Sequence, residues 1–225
     1  AEHCPIEDWW HDLVAITRQL LTSSGIAPAT IRAVAVSAIG PCMLPVDADG
    51  APLMNAVLYG VDTRAAAEIA ELTEAIGEDV LLARCGNALT SQSVGPKILW
   101  LRHQRPEIFA ATHKILTSTS WLVHRLTGPF VIENYSACTN TPLYLAAEQA
   151  WSDALSPGLV GLDKLPELAW TTDIAGGIIA AAAAATGLAA GTPVIVGTID
   201  AAAEAVSVGV TAPGQMMLMY GSTMF

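Results

Sequence analysis

The sequence predicts a layered α/β domain, and three observations predict it. Stretches of alternating or β-branched apolar residues take turns with stretches whose apolar residues recur at helical spacing, the pattern of helices packed on a sheet. The stretch from Val194 to Val208 condenses that pattern: a β-branched run stops at Gly197, a single acidic residue, Asp200, follows, and an alanine-rich helix begins at once. The composition supplies a core, because the 225 residues are 52% hydrophobic and 14% charged, which is far from the makeup of a disordered chain. No repeat, low-complexity tail or linker divides the chain, so one domain is expected.

The elements follow in order. Residues 7–22 predict a helix, with Trp10, Leu13, Val14, Thr17, Leu20 and Leu21 at helical spacing and Gly25 past its end. Ile31 to Ser37 alternates and predicts a strand. Met43 to Val46 predicts another, turning at Asp47 to Gly50, and Ala56 to Tyr59 a short third. Thr63 to Ile76 predicts a helix, with Asp62 or Thr63 as cap and Gly77 as stop. Pro96 to Gln104 predicts a helix with proline in its first turn. Lys114 to Thr117 reads as a strand and Ser118 to Leu126 as a helix that ends at Gly128 and Pro129. Glu133 to Thr141 is a polar stretch that a core does not need. Residues 151–174 read as short helices and loops. Ile174 to Ala190, mostly Ala and Gly and interrupted at Thr186 and Gly187, reads as a packed helix and turn, too weakly apolar for a membrane span. A last strand, Gln215 to Tyr220, leads into the small hydroxyl-rich loop of Gly221, Ser222 and Thr223.

Charge and cysteine usage exclude several classes. A net charge of -11 with 10 Lys and Arg argues against nucleic acid and against an anionic membrane surface. Cys4, Cys42, Cys85 and Cys138 form no close pair, so reduced thiols in a cytoplasmic enzyme are expected rather than a disulfide framework or zinc site. The histidines form no spaced cluster, and no metal ligands are assigned. No signal peptide is visible in the acidic first residues, which carry Trp9 and Trp10. The chain opens in a helical pattern without Met and stops just after a candidate ligand loop, so a fragment of a longer enzyme is expected.

The chemistry reads from the strand ends, where open α/β sheets handle their ligands. Asp200 lies at the mouth of a buried strand on the first turn of a helix, where the helix dipole favours a charged carboxylate. Such a group can accept the proton of a hydroxyl as it attacks a phosphoryl group; it can equally be an N-cap. Asp62 and Arg64 together can bind vicinal hydroxyls, or form a helix cap and ion pair. Tyr135 can offer a ring face and a hydroxyl to a ligand, or pack on the core. Gly221, Ser222 and Thr223 can approach phosphate through backbone N–H and hydroxyl groups. No Walker loop, G-x-S-x-G elbow or G-x-G-x-x-G fingerprint is present.

A set of short motifs, in order, resembles one family. Glu7-Asp8-Trp9-Trp10 resembles an E-D-W-W helix start, Val46 to Gly50 an L-D-x-x-G hairpin, and Tyr59 to Arg64 a W-x-D-x-R element. Gly86-Asn87 with Pro96 to Trp100 is similar to T-G-N … A-P-K-L-L-W, and Arg125 to Gly128 to R-L-T-G. Leu188 to Val194 leading to Asp200 resembles L-P-A-G-T-P-V … G-D, and Gly221 to Thr223 a G-T-S phosphate loop. Together they resemble the N-terminal half of the FGGY carbohydrate kinases, of the xylulokinase and glycerol kinase type.

That resemblance implies an actin-like ATPase (ribonuclease H-like) domain, a mixed sheet flanked by helices. It implies that residues 1–225 are the N-terminal, sugar-binding domain, without the first β-hairpin and the whole C-terminal domain, and inactive alone. It implies ATP and Mg2+ as cofactors and a small sugar or polyol as partner, with no nucleic acid and no membrane, and it admits a homodimer. Asp200 takes the place of the general base. Asp62, Arg64 and Tyr135 take places beside the sugar. Gly221, Ser222 and Thr223 take the nucleotide's phosphates. Gly40 and Pro41 fall where xylulokinases carry Met-His-Gly, with Pro41 in place of the sugar-touching His. The implied activity is ATP-dependent phosphorylation of a sugar or polyol hydroxyl, a xylulose-like ketose foremost. The alternative is a catalytically degenerate sugar-binding or regulatory protein on the same fold.

Overall fold

A computed structural model describes residues 1–218 of the chain. Two segments meet at the heart of it. Ser37–Ala38 runs parallel to Thr198–Ile199, with Ser37 opposite Thr198 and Ala38 opposite Ile199. Upstream, Val34 bridges to Val194, donating to the Pro193 carbonyl at 2.8 Å and accepting from Ile195 at 3.0 Å. The predicted strand from Ile31 therefore begins to pair only at Val34. A 3-10 turn at Pro28–Thr30 precedes it, and Pro193 opposite has no N–H to offer. Gly197 separates Pro193–Ile195 from Thr198–Ile199. Its φ is +73°, and a Cβ there would lie 2.2 Å from the Val36 carbonyl oxygen, so only glycine lets the two segments pass this closely.

Pro193–Ile195 also pairs antiparallel with Ile174–Gly177. The apolar Ile174 to Ala190 stretch is thus a strand followed by the helix Ala180–Thr186, not a helix throughout. Leu44–Val46, within the strand predicted from Met43, pairs antiparallel with Lys114–Leu116, within the strand predicted from Lys114, and Met43 bridges to Val57. Asp47 closes the following turn by accepting from Asp49 and Ala51 at 2.9 and 2.8 Å. Val131–Glu133 pairs parallel with Glu167–Ala169, a strand that the loop reading of 151–174 did not contain.

The helix Ser118–Thr127 packs across these strands. The Thr117 side chain caps it by accepting from the Ser120 N–H at 3.2 Å. Trp121, fully buried, donates its indole N–H to the Gly50 carbonyl at 2.9 Å and so locks the turn onto the helix. The predicted first helix is a π-helical segment, Pro5–His11, running into the α-helix Asp12–Ser24. Its contribution to the core comes from Trp9 and Trp10, while Leu20 stays 61% exposed. The helix predicted at Thr63 starts at Ala66, with no side-chain cap. Glu78–Cys85 and Pro106–Ala111 are further helices that periodicity did not single out. In the predicted strand at Gln215, residues 215–218 carry no pairing, and Met216 is 76% exposed. Tyr220, Gly221, Ser222 and Thr223 lie outside the described residues. No described helix is long and apolar enough to cross a membrane.

Candidate active site

The strand Thr198–Ile199 delivers Asp200 to the first position of the helix Asp200–Ser207. Thr198 is held from two sides. The Thr119 hydroxyl donates to its carbonyl at 3.0 Å, and its own hydroxyl donates to Glu133 Oε1 at 3.0 Å. The Asp200 carboxylate accepts the Ala201 N–H at 2.9 Å, and the Gly40 N–H lies against it. Burial nonetheless raises its pKa above the ordinary value, outweighing three backbone donors. The helix start alone predicts the opposite direction; here desolvation dominates. A carboxylate with a raised pKa is the stronger proton acceptor.

Gly40 and Pro41 form the floor beside it. A Cβ on Gly40 would lie 2.4 Å from Ile199 Cγ2, so this position must be bare for the loop to reach Asp200. Pro41 and Cys42 are buried behind it. Burial pushes the Cys42 thiol up to about 12, with Asp200 adding to the rise and Lys97 opposing it.

Tyr135 sits on the short helix Asn134–Ala137 and is 54% exposed. Its phenol is raised by partial burial and by the negative charges of Glu133 and Asp200. The structure therefore brings Tyr135, Gly40 and Asp200 to one neighbourhood. The rest of the polar stretch is not surplus to the core. Glu133, Ser136, Asn140 and Thr141 are all buried, hydrogen-bonded to one another or to nearby backbone.

Asp62 and Arg64 close on each other. Arg64 Nε and Nη2 donate to Asp62 Oδ1 and Oδ2, both at 2.8 Å, Nη1 reaches Glu2 Oε1 at 2.9 Å, and the guanidinium stacks over Trp100 at 4.8 Å. Asp62 is only 4% exposed. Burial pushes its pKa up, but the Arg64 hydrogen bonds hold it well below the usual carboxylate range. The Asp62 side chain also accepts the Arg64 N–H at 3.1 Å, so it caps the turn at 62–65 rather than the helix. No hydrogen bond or ion pair joins this pair to Asp200.

Between the two lies Lys97, which the sequence offers only as one cation in an apolar helix. It is 1% exposed, donates to the Ser91 carbonyl at 2.7 Å, and feels the charges of Cys42, Asp62 and Arg64. Burial lowers it from 10.5 to about 8. The unfolded chain keeps this proton until 10.5, so from pH 8 upward the unfolded state binds more protons and stability rises with pH. Above 9.0 the Cys42 thiol, which ionises there only when unfolded, acts in the opposite direction. Wild type is therefore expected to gain urea-midpoint stability between about pH 7.5 and about pH 9, and Lys97→Met to lack that gain. An equal gain in both would remove Lys97 as its source.

Four cavities of about 280 to 620 Å³ are lined by other residues, among them Arg125, Leu126, Thr90 and Arg102. None of these four is lined by Asp200, Gly40 or Tyr135.

Comparison with known proteins gives the family and the fold. The family described as "FGGY family of carbohydrate kinases, N-terminal domain" matches residues 2–207. The autoinducer-2 kinase of Escherichia coli K12 is 31% identical over 218 residues, covering 95% of this chain and 40% of that protein. The autoinducer-2 kinase of Yersinia enterocolitica is 29% identical over 215 residues, with the same coverage of each. The chain thus spans about 40% of the length of these relatives. The crystal structure of xylulose kinase from Rhodospirillum rubrum superposes with a TM-score of 0.91 at 29% identity, over 98% of this chain and 45% of that one. Glycerol kinase of Plasmodium falciparum with ADP has a TM-score of 0.85 at 19% identity, over 99% of this chain and 45% of that one, a likeness of fold alone. The architecture is the actin-like ATPase fold of these sugar kinases. The chain belongs to the FGGY family of carbohydrate kinases.

Proposed function

We propose that this chain is the sugar-binding first domain of an ATP-dependent kinase and that Asp200 is the general base. The observation that carries this is the half-buried Asp200 carboxylate, its pKa raised by burial, held at a strand end beside the Gly40 N–H and the Tyr135 phenol. In this reading the acceptor hydroxyl lies against Asp200, which takes its proton as the oxygen attacks the γ-phosphoryl. Tyr135 covers the substrate with its exposed ring and hydroxyl. Gly40 supplies the close backbone approach, and Pro41 shapes the floor beneath it. Asp62 and Arg64 act mainly as a brace for that wall, because three Arg64 donors are already engaged.

ATP supplies the phosphoryl group and brings Mg2+ to neutralise phosphate charge. Gly221, Ser222 and Thr223 are proposed to meet the phosphates. In this reading the Mg2+ arrives with the nucleotide. The four free thiols support a reducing, cytoplasmic setting.

The substrate is proposed to be a xylulose-like ketose, with autoinducer-2 as the second choice because the curated relatives carry that name. The test is ADP release by the full-length kinase with xylulose, autoinducer-2, glycerol and gluconate. Release that depends on one of the first two is expected. A folded protein that binds one of them yet releases no ADP would leave only the degenerate sugar-binding reading.

A further inference from the structure

We propose that Glu133 is a positioning residue for phosphoryl transfer: its carboxylate ties the turn that carries Tyr135 to the strand that delivers Asp200, through the Thr198 hydroxyl. The inference rests on the proposed kinase reading and assigns a role to two residues that reading leaves idle.

Glu133 ends the strand Val131–Glu133 and is 2% exposed. Oε2 accepts the Ser136 N–H at 2.6 Å, and Oε1 accepts the hydroxyls of Ser136 and, at 3.0 Å, Thr198. Among the described residues it makes no ion pair. A buried carboxylate without a cation is costly unless its oxygens accept hydrogen bonds, and here three donors from two elements engage both oxygens. Capping the Asn134–Ala137 turn does not require this. A serine satisfies the same N–H with a shorter side chain and no charge, and an aspartate with a shorter side chain. What the longer glutamate adds is reach to Thr198, which lies 65 residues away in sequence and two before Asp200.

The mechanical consequence is specific. Thr119 fixes the Thr198 carbonyl, but that bond runs to the helix Ser118–Thr127 and not to the Tyr135 turn. The Glu133–Thr198 contact is the side-chain hydrogen bond that links the turn to the Asp200 strand. Without it the base and the phenol lose their shared reference, and a displacement of about 1 Å can lower a rate by as much as 10²-fold. Substrate binding, spread over more of the wall, changes less.

The test compares Thr198→Val, which replaces the hydroxyl by a methyl, with Thr198→Ser, which keeps the hydroxyl, in the full-length kinase and with whichever of the four acceptors it turns over. We expect Thr198→Val to lower kcat about tenfold or more with KM within about twofold, and Thr198→Ser to return kcat to within about threefold of wild type. Thr198→Ala replaces the valine variant should that one not fold. Equal loss in the serine and valine variants, or a valine variant with wild-type kcat, overturns the positioning role while leaving the kinase reading intact. A wild type that turns over no acceptor overturns both.

Discussion

Asp200→Asn in the full-length kinase is expected to lower kcat by roughly 10²–10⁴-fold, the usual contribution of a positioned proton acceptor, with unfolding stability nearly unchanged. The substitution keeps shape and an oxygen for the Ala201 N–H while removing basicity. Burial already disfavours the charge on Asp200, so loss of that charge does not weaken the fold. KM should move little, because the acceptor's other hydroxyls meet other residues. The measurement is steady-state turnover beside a urea titration. A variant with near-normal kcat removes Asp200 from the chemistry, and one that is inactive because it unfolds makes it structural.

Arg64→Met is expected to destabilise the domain by about 3–5 kcal/mol, the effect of stripping a partner from a buried ion pair. Asp62 would then keep its carboxylate at 4% exposure without the two 2.8 Å donors that compensate it. Arg64→Met combined with Asp62→Asn should be milder than Arg64→Met alone, since the stranded charge, and not the missing guanidinium, dominates. Acidification gives the sign. In wild type the depressed carboxyl contributes stability that is present above its ordinary value of 3.8 and is lost as pH falls through and below it. In Arg64→Met the guanidinium donors are gone while burial, which pushes the carboxyl up, and the residue-64 N–H remain, so less of the fold's stability depends on an ionised Asp62. The gap between the two proteins should narrow as pH is lowered toward 3.8; a gap that widens contradicts the assignment.

The local parts of this site were readable from the chain. A β-branched run, Gly197 and one acid before an alanine-rich helix give the place of Asp200, because strand termination and helix initiation are decided by neighbouring residues. The turn at Asp47 to Gly50 and the separate strands at Met43 and Lys114 were readable for the same reason, but not the pairing of the two strands. What escaped depends on partners distant in sequence. Lys97 looks like any helix lysine until Ser91 and Cys42 close over it. Glu133 looks like a loop acid until Thr198 reaches it across 65 residues. Arg64 looks free to meet a sugar until Glu2 and Trp100 engage it. The raised pKa of Asp200 was missed because the helix start is visible in sequence and the depth of burial is not. Ile31 to Ser37 alternates like a full strand, yet its pairing is set by Pro193 and Gly197 on the facing segment.

The most direct test of the central claim is the pH dependence of single-turnover phosphoryl transfer in wild type and Asp200→Asn. The account predicts that the wild-type rate falls on acidification with an apparent pKa above 3.8, and that the variant is slow with no such limb. An Asp200→Asn enzyme that keeps the wild-type acid limb would contradict it, because the proton acceptor would then be a different group.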